Sequence, residues 1–200
     1  MFFYTLLLFA PNWIPTLIGS FARAGVMASG YPKLDPATIA SQGIDLAIAM
    51  FSDVGGLISL VQLQPWVYVA PLLVVIAFAS IAGLLLTTLI ESYFVIGAGV
   101  LLLGFGGSRW TATFAEGYLL YAMRVGVKLF VLYLLIGIGM TLPTVWLDML
   151  RADLSVTPRL LYEVMGSSLV FAMVAFRVPK LASGMLGHRA SFTVDRAYAD

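Results

Sequence analysis

A long stretch without a single charged side chain separates Asp53 from Glu91. Within it, residues 67–90 form an uninterrupted segment that would extend about 36 Å as an α-helix rising 1.5 Å per residue. The hydrocarbon core of a bilayer is about 30 Å thick. A helix of this length and character would not be stable facing water on all sides, so the segment predicts a transmembrane helix.

The composition extends this conclusion to the rest of the chain. Hydrophobic residues make up 61% and charged residues 10% of the sequence, against about 45–50% and about 25% in average soluble domains. The mean hydropathy of +0.99 is spread over most of the length, which predicts several spans rather than one anchor. We therefore expect an all-α, polytopic integral membrane protein.

The same composition argues against several functions. Cysteine is absent and His188 is the only histidine, which excludes disulfides, thiolate catalysis and the usual zinc or iron ligand sets. The glycine run near residue 106 lacks the Lys followed by Ser or Thr that a phosphate-binding loop needs. The sequence has no cluster of lysine and arginine that would bind a nucleic-acid backbone. If DNA is involved, we expect it to be a transported substrate. We expect no enzyme activity, no metal and no cofactor.

The first 64 residues give weaker signals of their position relative to the membrane than the rest of the chain does. Residues 1–22 are uncharged, but Pro11 and Pro15 interrupt them, which indicates a kinked apolar helix that either spans the membrane or lies at its surface. Residues 23–64 read as a loop followed by an amphipathic helix that starts at Asp35-Pro36. Its acidic residues favour a position on the membrane surface.

Residues 65–147 predict a long transmembrane helical hairpin. The first arm has no turn signal across residues 87–92, and the second arm runs from residue 111 to 142, where Pro143 should end it. Charge-free segments at 67–90 and 129–147 would cross the bilayer. A tight glycine-rich turn joins the arms and places an arginine and a tryptophan at the headgroup surface; it comprises Gly104, Gly106, Gly107, Arg109 and Trp110.

Residues 148–180 contain the last predicted transmembrane helix, over 160–177. The chain from residue 178 onward is expected to be loop or disordered, and residues 181–200 form a polar tail. Lysine and arginine are more frequent on cytoplasmic loops. Seven of them fall on the side of the hairpin tip and the tail, and four on the other side. This predicts a cytoplasmic tip and C-terminus.

The hairpin also carries ionisable residues at or near membrane depth: Glu91, Glu116, Arg124 and Lys128. Glu91 and Arg124 lie 15 and 18 residues from Gly106, so the two arms should bring them to nearly the same depth. One interpretation makes them part of an ion or proton path, because charges inside a membrane are expensive and often functional. The other is an ion pair between the arms that sets their register.

The stretch before the turn, residues 95–105, is strongly apolar although the tip is expected to leave the bilayer. Large apolar surfaces outside lipid usually mark contacts with other proteins. We therefore predict a face for oligomer or partner contact, formed by Ile96, Val100, Leu102, Leu103 and Phe105.

Three segments carry a family resemblance: ESYFVIGAGVLLLGFGGSRW at 91–110, YLLY at 118–121 and GVKLFVLYLLIGIG at 126–139. They closely resemble the TrbL family of conjugal-transfer proteins. Weaker likeness, at Asp35-Pro36 and Val178-Pro179, extends the resemblance to about residues 35–185.

The resemblance implies an inner-membrane component of a bacterial conjugative type IV secretion system, supporting pilus assembly and DNA-protein transfer. It also implies a ring-like homo-oligomer such as a pentamer, with pilin, a TrbJ-like minor pilin, secretion ATPases and phospholipids as partners, and the DNA-relaxase substrate only in passage. Family members have longer termini, so this chain is expected to be the ordered portion of something larger. The alternative function is a small ion- or proton-coupled transporter using Glu91, Arg124 and Lys128.

Overall fold

The computed structural model describes residues 2–31, 34–61, 66–105, 112–152 and 158–188. All regular secondary structure in these ranges is helical, as the composition predicted. The helices are α1 (Phe2–Ser29), α2 (Pro36–Val61), α3 (Trp66–Gly104), α4 (Ala112–Gly139), α5 (Thr141–Ala152) and α6 (Pro158–His188).

Helix α1 continues through both prolines and past the expected boundary at residue 22 as far as Ser29. Arg23 is exposed, so its charge does not require the helix to stop. The helix ends at Gly30, whose φ of 68° is the left-handed conformation that glycine adopts without strain.

Helix α2 begins where the Asp35-Pro36 pair predicted. The backbone N–H of Thr38 donates to Asp35 Oδ1 at 2.7 Å, and the Thr38 hydroxyl donates to the same oxygen at 2.9 Å. Pro36 occupies the first helical position, where its missing N–H is not needed. Asp45 is exposed, and the buried side of the helix contributes Ile39 and Leu46 to the core. Helix α2 packs against α5.

Helix α3 is continuous over 39 residues, which corresponds to a length of about 58 Å. The prediction that no turn interrupts residues 87–92 is confirmed. Buried polar side chains in this part of the helix include Ser92, whose hydroxyl donates to the Leu89 carbonyl at 2.6 Å. Hydrogen bonding back to the helix lets such a hydroxyl lie in an apolar environment.

The second arm ends earlier than expected. Helix α4 stops at Gly139, Met140 forms a turn, and α5 starts at Thr141. The prediction that Pro143 ends the helix is wrong, because Pro143 lies in the first turn of α5. Proline is tolerated there because the first-turn N–H groups have no partner within the helix.

Helix α6 is longer than the predicted span at 160–177. It continues through Pro179 to His188, so the expectation of a loop from residue 178 onward is wrong for residues 178–188. Proline removes only one helical hydrogen bond, and membrane helices accommodate such interruptions. Residues 189–200 of the predicted tail lie outside the described residues.

The chain divides into two compact units. The first comprises Met1–Ala28, Thr87–Leu134 and Val178–Asp200, and the second comprises Ser29–Leu86 and Leu135–Arg177. In the second unit, Phe78 and Phe171 pack with ring centroids 6.4 Å apart at an interplanar angle of 56°. Phe171 also lies where a side chain at Gly139 would be, so the glycine permits close helix approach.

In the part of the chain that the structure describes, three segments are long and apolar enough to cross a membrane. They are Val69–Gly104, Thr113–Leu150 and Arg159–Leu186. The expected polytopic membrane protein is therefore confirmed.

Candidate functional site

An ion pair joins α3 to α4 in the first unit. Lys128 Nζ lies 2.5 Å from Glu91 Oε2, and the two side chains are only 19% and 25% exposed. The Tyr121 hydroxyl donates to the other carboxylate oxygen, Oε1, at 2.9 Å. Both oxygens of Glu91 are thus held by α4, which fixes the register of the two helices at this level.

The spacing on α4 explains why these groups meet. Tyr121, Arg124 and Lys128 are three and four residues apart, which places them on one face of the helix. The structure has the predicted ion pair between the arms, but Lys128 holds the position that we expected for Arg124. Glu116 is exposed and is not among the residues that line the site.

Helix α6 completes a cleft of about 190 Å³ around this pair. Its lining residues come from α3, α4 and α6: Glu91, Tyr121, Arg124, Val125, Lys128, Lys180 and Ser183. The Nε atom of Arg124 is buried and has no hydrogen-bond partner among the described residues. Three basic side chains and one acidic side chain give the cleft a formal charge of +2. The predicted charge set did not include Lys180, which we expected at the outer end of the last span.

A second contact between α3 and α4 is buried. The Tyr118 hydroxyl donates to the Val95 carbonyl at 2.9 Å. A side chain at Gly99 would collide with this tyrosine and with Ile14, so glycine is what lets α1 and α4 approach α3 here. Nearer the turn, the rings of Phe105 and Phe114 pack 6.5 Å apart. The sequence analysis included Tyr118 only within a segment that carries the family resemblance. Its hydrogen bond was not predicted, because it depends on which residue of α3 lies opposite Tyr118.

The predicted contact face is only partly on the outside. Ile96 and Leu102 are partly exposed, and Phe105 is 52% exposed. Leu103 is 1% exposed, so its place on an outer face is wrong. It follows Ser92, Val95 and Gly99 at helical spacing on the buried side of α3. The side chain of Val100 lies outside the described part of the chain.

Apart from Phe105, the outer side of α3 carries large apolar side chains that the sequence did not single out. Tyr93, Phe94 and Leu101 are 70%, 73% and 74% exposed. We call this surface the outer α3 face; it comprises Ile90, Tyr93, Phe94, Leu101 and Phe105.

The predicted turn is described only at its start. Gly104 is the last residue of α3 and is exposed, and no other helix in the described part of the chain comes within 4 Å of where its Cβ would be. Gly106, Gly107, Arg109 and Trp110 lie outside the described residues.

Pairs of small residues that lie four apart on the helices include Ala79 and Gly83, Ala122 and Gly126, and Gly137 and Thr141. The second pair and Gly137 pack inside the chain. Ala122 and Gly126 are buried, and Gly126 lies against the ring of Phe21. Gly137 is buried against Ser29 and Leu34. Ala79 and Gly83 face outward. The described residues contain no group of three or more histidine, aspartate or glutamate side chains positioned to hold a metal ion.

Comparison with known proteins agrees with this architecture. Residues 1–178 match the family described as TrbL/VirB6 plasmid conjugal transfer protein. The chain is similar to the conjugal transfer protein TrbL of Rhizobium radiobacter, with 30% identity over 174 residues that cover 83% of this chain and 43% of that protein. It is also similar to the probable conjugal transfer protein TrbL of Sinorhizobium fredii (strain NBRC 101917 / NGR234), with 30% identity over 188 residues that cover 92% of this chain and 46% of that protein.

The chain thus spans less than half the length of these two relatives. The likeness does not depend on the glycine-arginine-tryptophan motif alone, because the family match covers most of the chain. Three segments of membrane-spanning length are consistent with it. The chain is a membrane protein that belongs to the TrbL/VirB6 family of plasmid conjugal transfer proteins.

Proposed function

We propose that this chain is the membrane-embedded portion of a scaffold and channel subunit of a conjugative type IV secretion system. It supports pilus assembly and the passage of the DNA-protein substrate across the bacterial inner membrane. Family membership supports a role in conjugative transfer. The helical hairpin supports the part that we propose within the machine.

The outer α3 face carries this proposal. The segment Val69–Gly104 has 36 residues and would extend about 54 Å, well beyond a hydrocarbon core of about 30 Å. With the charge-free residues 67–90 in the bilayer, residues 91–104 would project about 21 Å beyond it. Exposed Tyr93, Phe94 and Leu101 on this part need a protein surface to cover them.

A second copy of the chain is the partner that best fits this face. Closed rings of identical subunits bury the same apolar surface in every copy, and the resemblance to TrbL proteins implies a ring-like assembly. Pilin, a TrbJ-like minor pilin and the secretion ATPases are the further partners. The excess of lysine and arginine on the side of the hairpin tip supports a cytoplasmic tip and C-terminus, where ATPases could dock.

Deleting the gene in a conjugative donor tests the proposal. Transfer frequency and pilus formation should both fall below detection, while plasmid copy number stays at the wild-type level. Supplying the wild-type gene in trans should restore both. Normal transfer by the deletion strain would refute a role in conjugation, and transfer without pili would refute the part in pilus assembly.

A transporter remains the competing function, because Glu91, Arg124 and Lys128 line one cleft. The structure favours a structural pair, since Lys128 and Tyr121 engage both oxygens of Glu91. Proteoliposomes separate the two functions. A proton-coupled flux that Glu91→Gln abolishes would support transport, whereas impermeable liposomes with intact conjugation would support the scaffold.

A further inference from the structure

Among the described residues, the cleft around Glu91, which we call the basic cleft, is lined by three basic side chains and one carboxylate, so its positive charge is not balanced. Glu91 is occupied by Lys128 and Tyr121, which leaves Arg124 and Lys180 without an ion-pair partner among the described residues. A buried guanidinium N–H that finds no acceptor is unfavourable, so the Nε atom of Arg124 calls for an acceptor that the described side chains do not supply. An anion would provide it.

The charge-free segments of the sequence indicate that the cleft lies where the membrane helices leave the hydrocarbon core. Glu91 directly follows the charge-free residues 67–90 of α3, and Lys128 directly precedes the charge-free residues 129–147 of the second arm. On α6, Lys180 comes shortly after the charge-free residues 164–176. All three helices therefore bring cleft residues to the end of a spanning stretch, which is the depth of phospholipid headgroups.

The size of the cleft limits the ligand. A volume of about 190 Å³ is below the roughly 300–1,000 Å³ of sites that enclose a whole small molecule. It holds about six water volumes of about 30 Å³ each, which suits a single phosphate group. Arginine and lysine together bind phosphate oxygens through charge-assisted hydrogen bonds.

We propose that Arg124, Lys128 and Lys180 form a binding site for a phosphate group, as carried by an anionic phospholipid headgroup or by free phosphate. A phospholipid would keep its acyl chains in the bilayer beside α3, α4 and α6 and place its headgroup in the cleft. Basic pockets between membrane helices commonly bind anionic lipids in this way. The site depends on the membrane helices alone and is independent of the proposed role in secretion.

Native mass spectrometry of the full-length protein tests the site, with phosphatidylglycerol or phosphatidylcholine of matched acyl chains added to the detergent micelles. The wild type should bind phosphatidylglycerol about tenfold more tightly than phosphatidylcholine, and Arg124→Gln with Lys180→Gln should remove this difference. Arg177→Gln is the matched control: it removes one positive charge from an exposed position on α6 outside the cleft and should keep the preference. Lys180→Arg should keep it too and shows that the helix tolerates substitution.

Free phosphate distinguishes the two sources. If millimolar inorganic phosphate displaces phosphatidylglycerol, the cleft recognises the phosphate group itself; if only the lipid binds, the headgroup in its bilayer is the ligand. Either outcome supports the site. Equal binding of the two lipids, or a loss of preference that is the same in Arg177→Gln, would overturn it.

Glu91→Gln distinguishes an anion-binding role of the cleft from a purely structural one, because only the anion-binding role predicts a change in lipid binding. Glutamine keeps an acceptor for Tyr121 but releases Lys128 from its ion pair, so binding of phosphatidylglycerol should strengthen several-fold. Unchanged or weaker binding would contradict the assignment of Lys128 to the anion site.

Discussion

Single contacts between α3 and α4 set the geometry of the hairpin in the first unit. Counting from the glycine turn placed a carboxylate and a basic residue at the same depth, because both arms rise by the same 1.5 Å per residue. It favoured Arg124 as the partner, whereas Lys128, one turn away on the same face of α4, forms the pair. That choice depends on how α4 is rotated and on where each flexible side chain can reach.

We predict that the Glu91–Lys128 pair stabilises the hairpin cooperatively. Glu91→Gln or Lys128→Gln alone should lower the free energy of unfolding by about 1–3 kcal/mol, because each leaves a largely buried charge unpaired. The double variant should be less destabilised than the sum of the two, as measured by thermal unfolding in detergent. Additive losses would show that the two side chains do not interact.

Gly25 provides a second test at the residue scale. A Cβ there would lie 2.6 Å from the Phe130 carbonyl oxygen and 2.8 Å from Tyr133 Cβ, and a backbone atom cannot move aside as a flexible side chain can. Gly25→Ala should therefore destabilise the protein by about 1–3 kcal/mol. Gly117→Ala, at an exposed helical glycine with nothing within 4 Å, should leave stability unchanged or raise it by about 0.5–1 kcal/mol. Equal effects of the two changes in the same unfolding assay would contradict this packing.

At the scale of elements, the rotation of α3 about its axis determines which of its apolar side chains are exposed for contact with another protein. Successive residues are turned by about 100°, so Leu101 and Leu103 point in different directions although both belong to one apolar run. Leu101 is 74% exposed and Leu103 is 1% exposed. Because α3 is apolar on all sides, the sequence contained no amphipathic pattern that could distinguish the outer face from the inner one.

The outer α3 face makes a prediction about assembly. Leu101→Lys should reduce the size of the purified complex, because a charge at the centre of a contact is left without water or a partner. Met185→Lys is the matched control, since Met185 is also 74% exposed but lies on α6. Mass photometry should find smaller particles for Leu101→Lys alone, with helix content by circular dichroism unchanged. An unaltered complex would mean that lipid or another protein covers this face.

At the scale of the whole molecule, the three segments of spanning length predict on which side of the membrane each connecting segment lies. If each crosses once, residues 106–111 and the end of the chain lie on one side of the membrane, and residues 153–157 lie on the other. From the lysine and arginine count we predict that the first of these sides is cytoplasmic.

Reporter fusions test this topology. Green fluorescent protein fused after Ser108 or after Asp200 should fluoresce, and alkaline phosphatase fused after Leu154 should be active. Fusions of each reporter at all three positions serve as the reciprocal controls. Should the reporters at Ser108 and Leu154 report the same compartment, the hairpin does not cross as two spans and the placement of the basic cleft at headgroup depth is wrong.

The sequence by itself determined that this is a helical membrane protein with several spans, and its motifs indicated the family that the comparisons confirm. Hydropathy, charge-free length and the glycine-arginine-tryptophan motif are properties of the linear chain, and the membrane forces apolar helices to satisfy their own backbone. Only the tertiary structure decided that Lys128 pairs with Glu91, that α4 ends at Gly139, and that Lys180 joins Arg124 in one cleft. These outcomes depend on helix rotation and on neighbours distant in sequence, which a nearly uniform apolar chain does not encode in any local pattern.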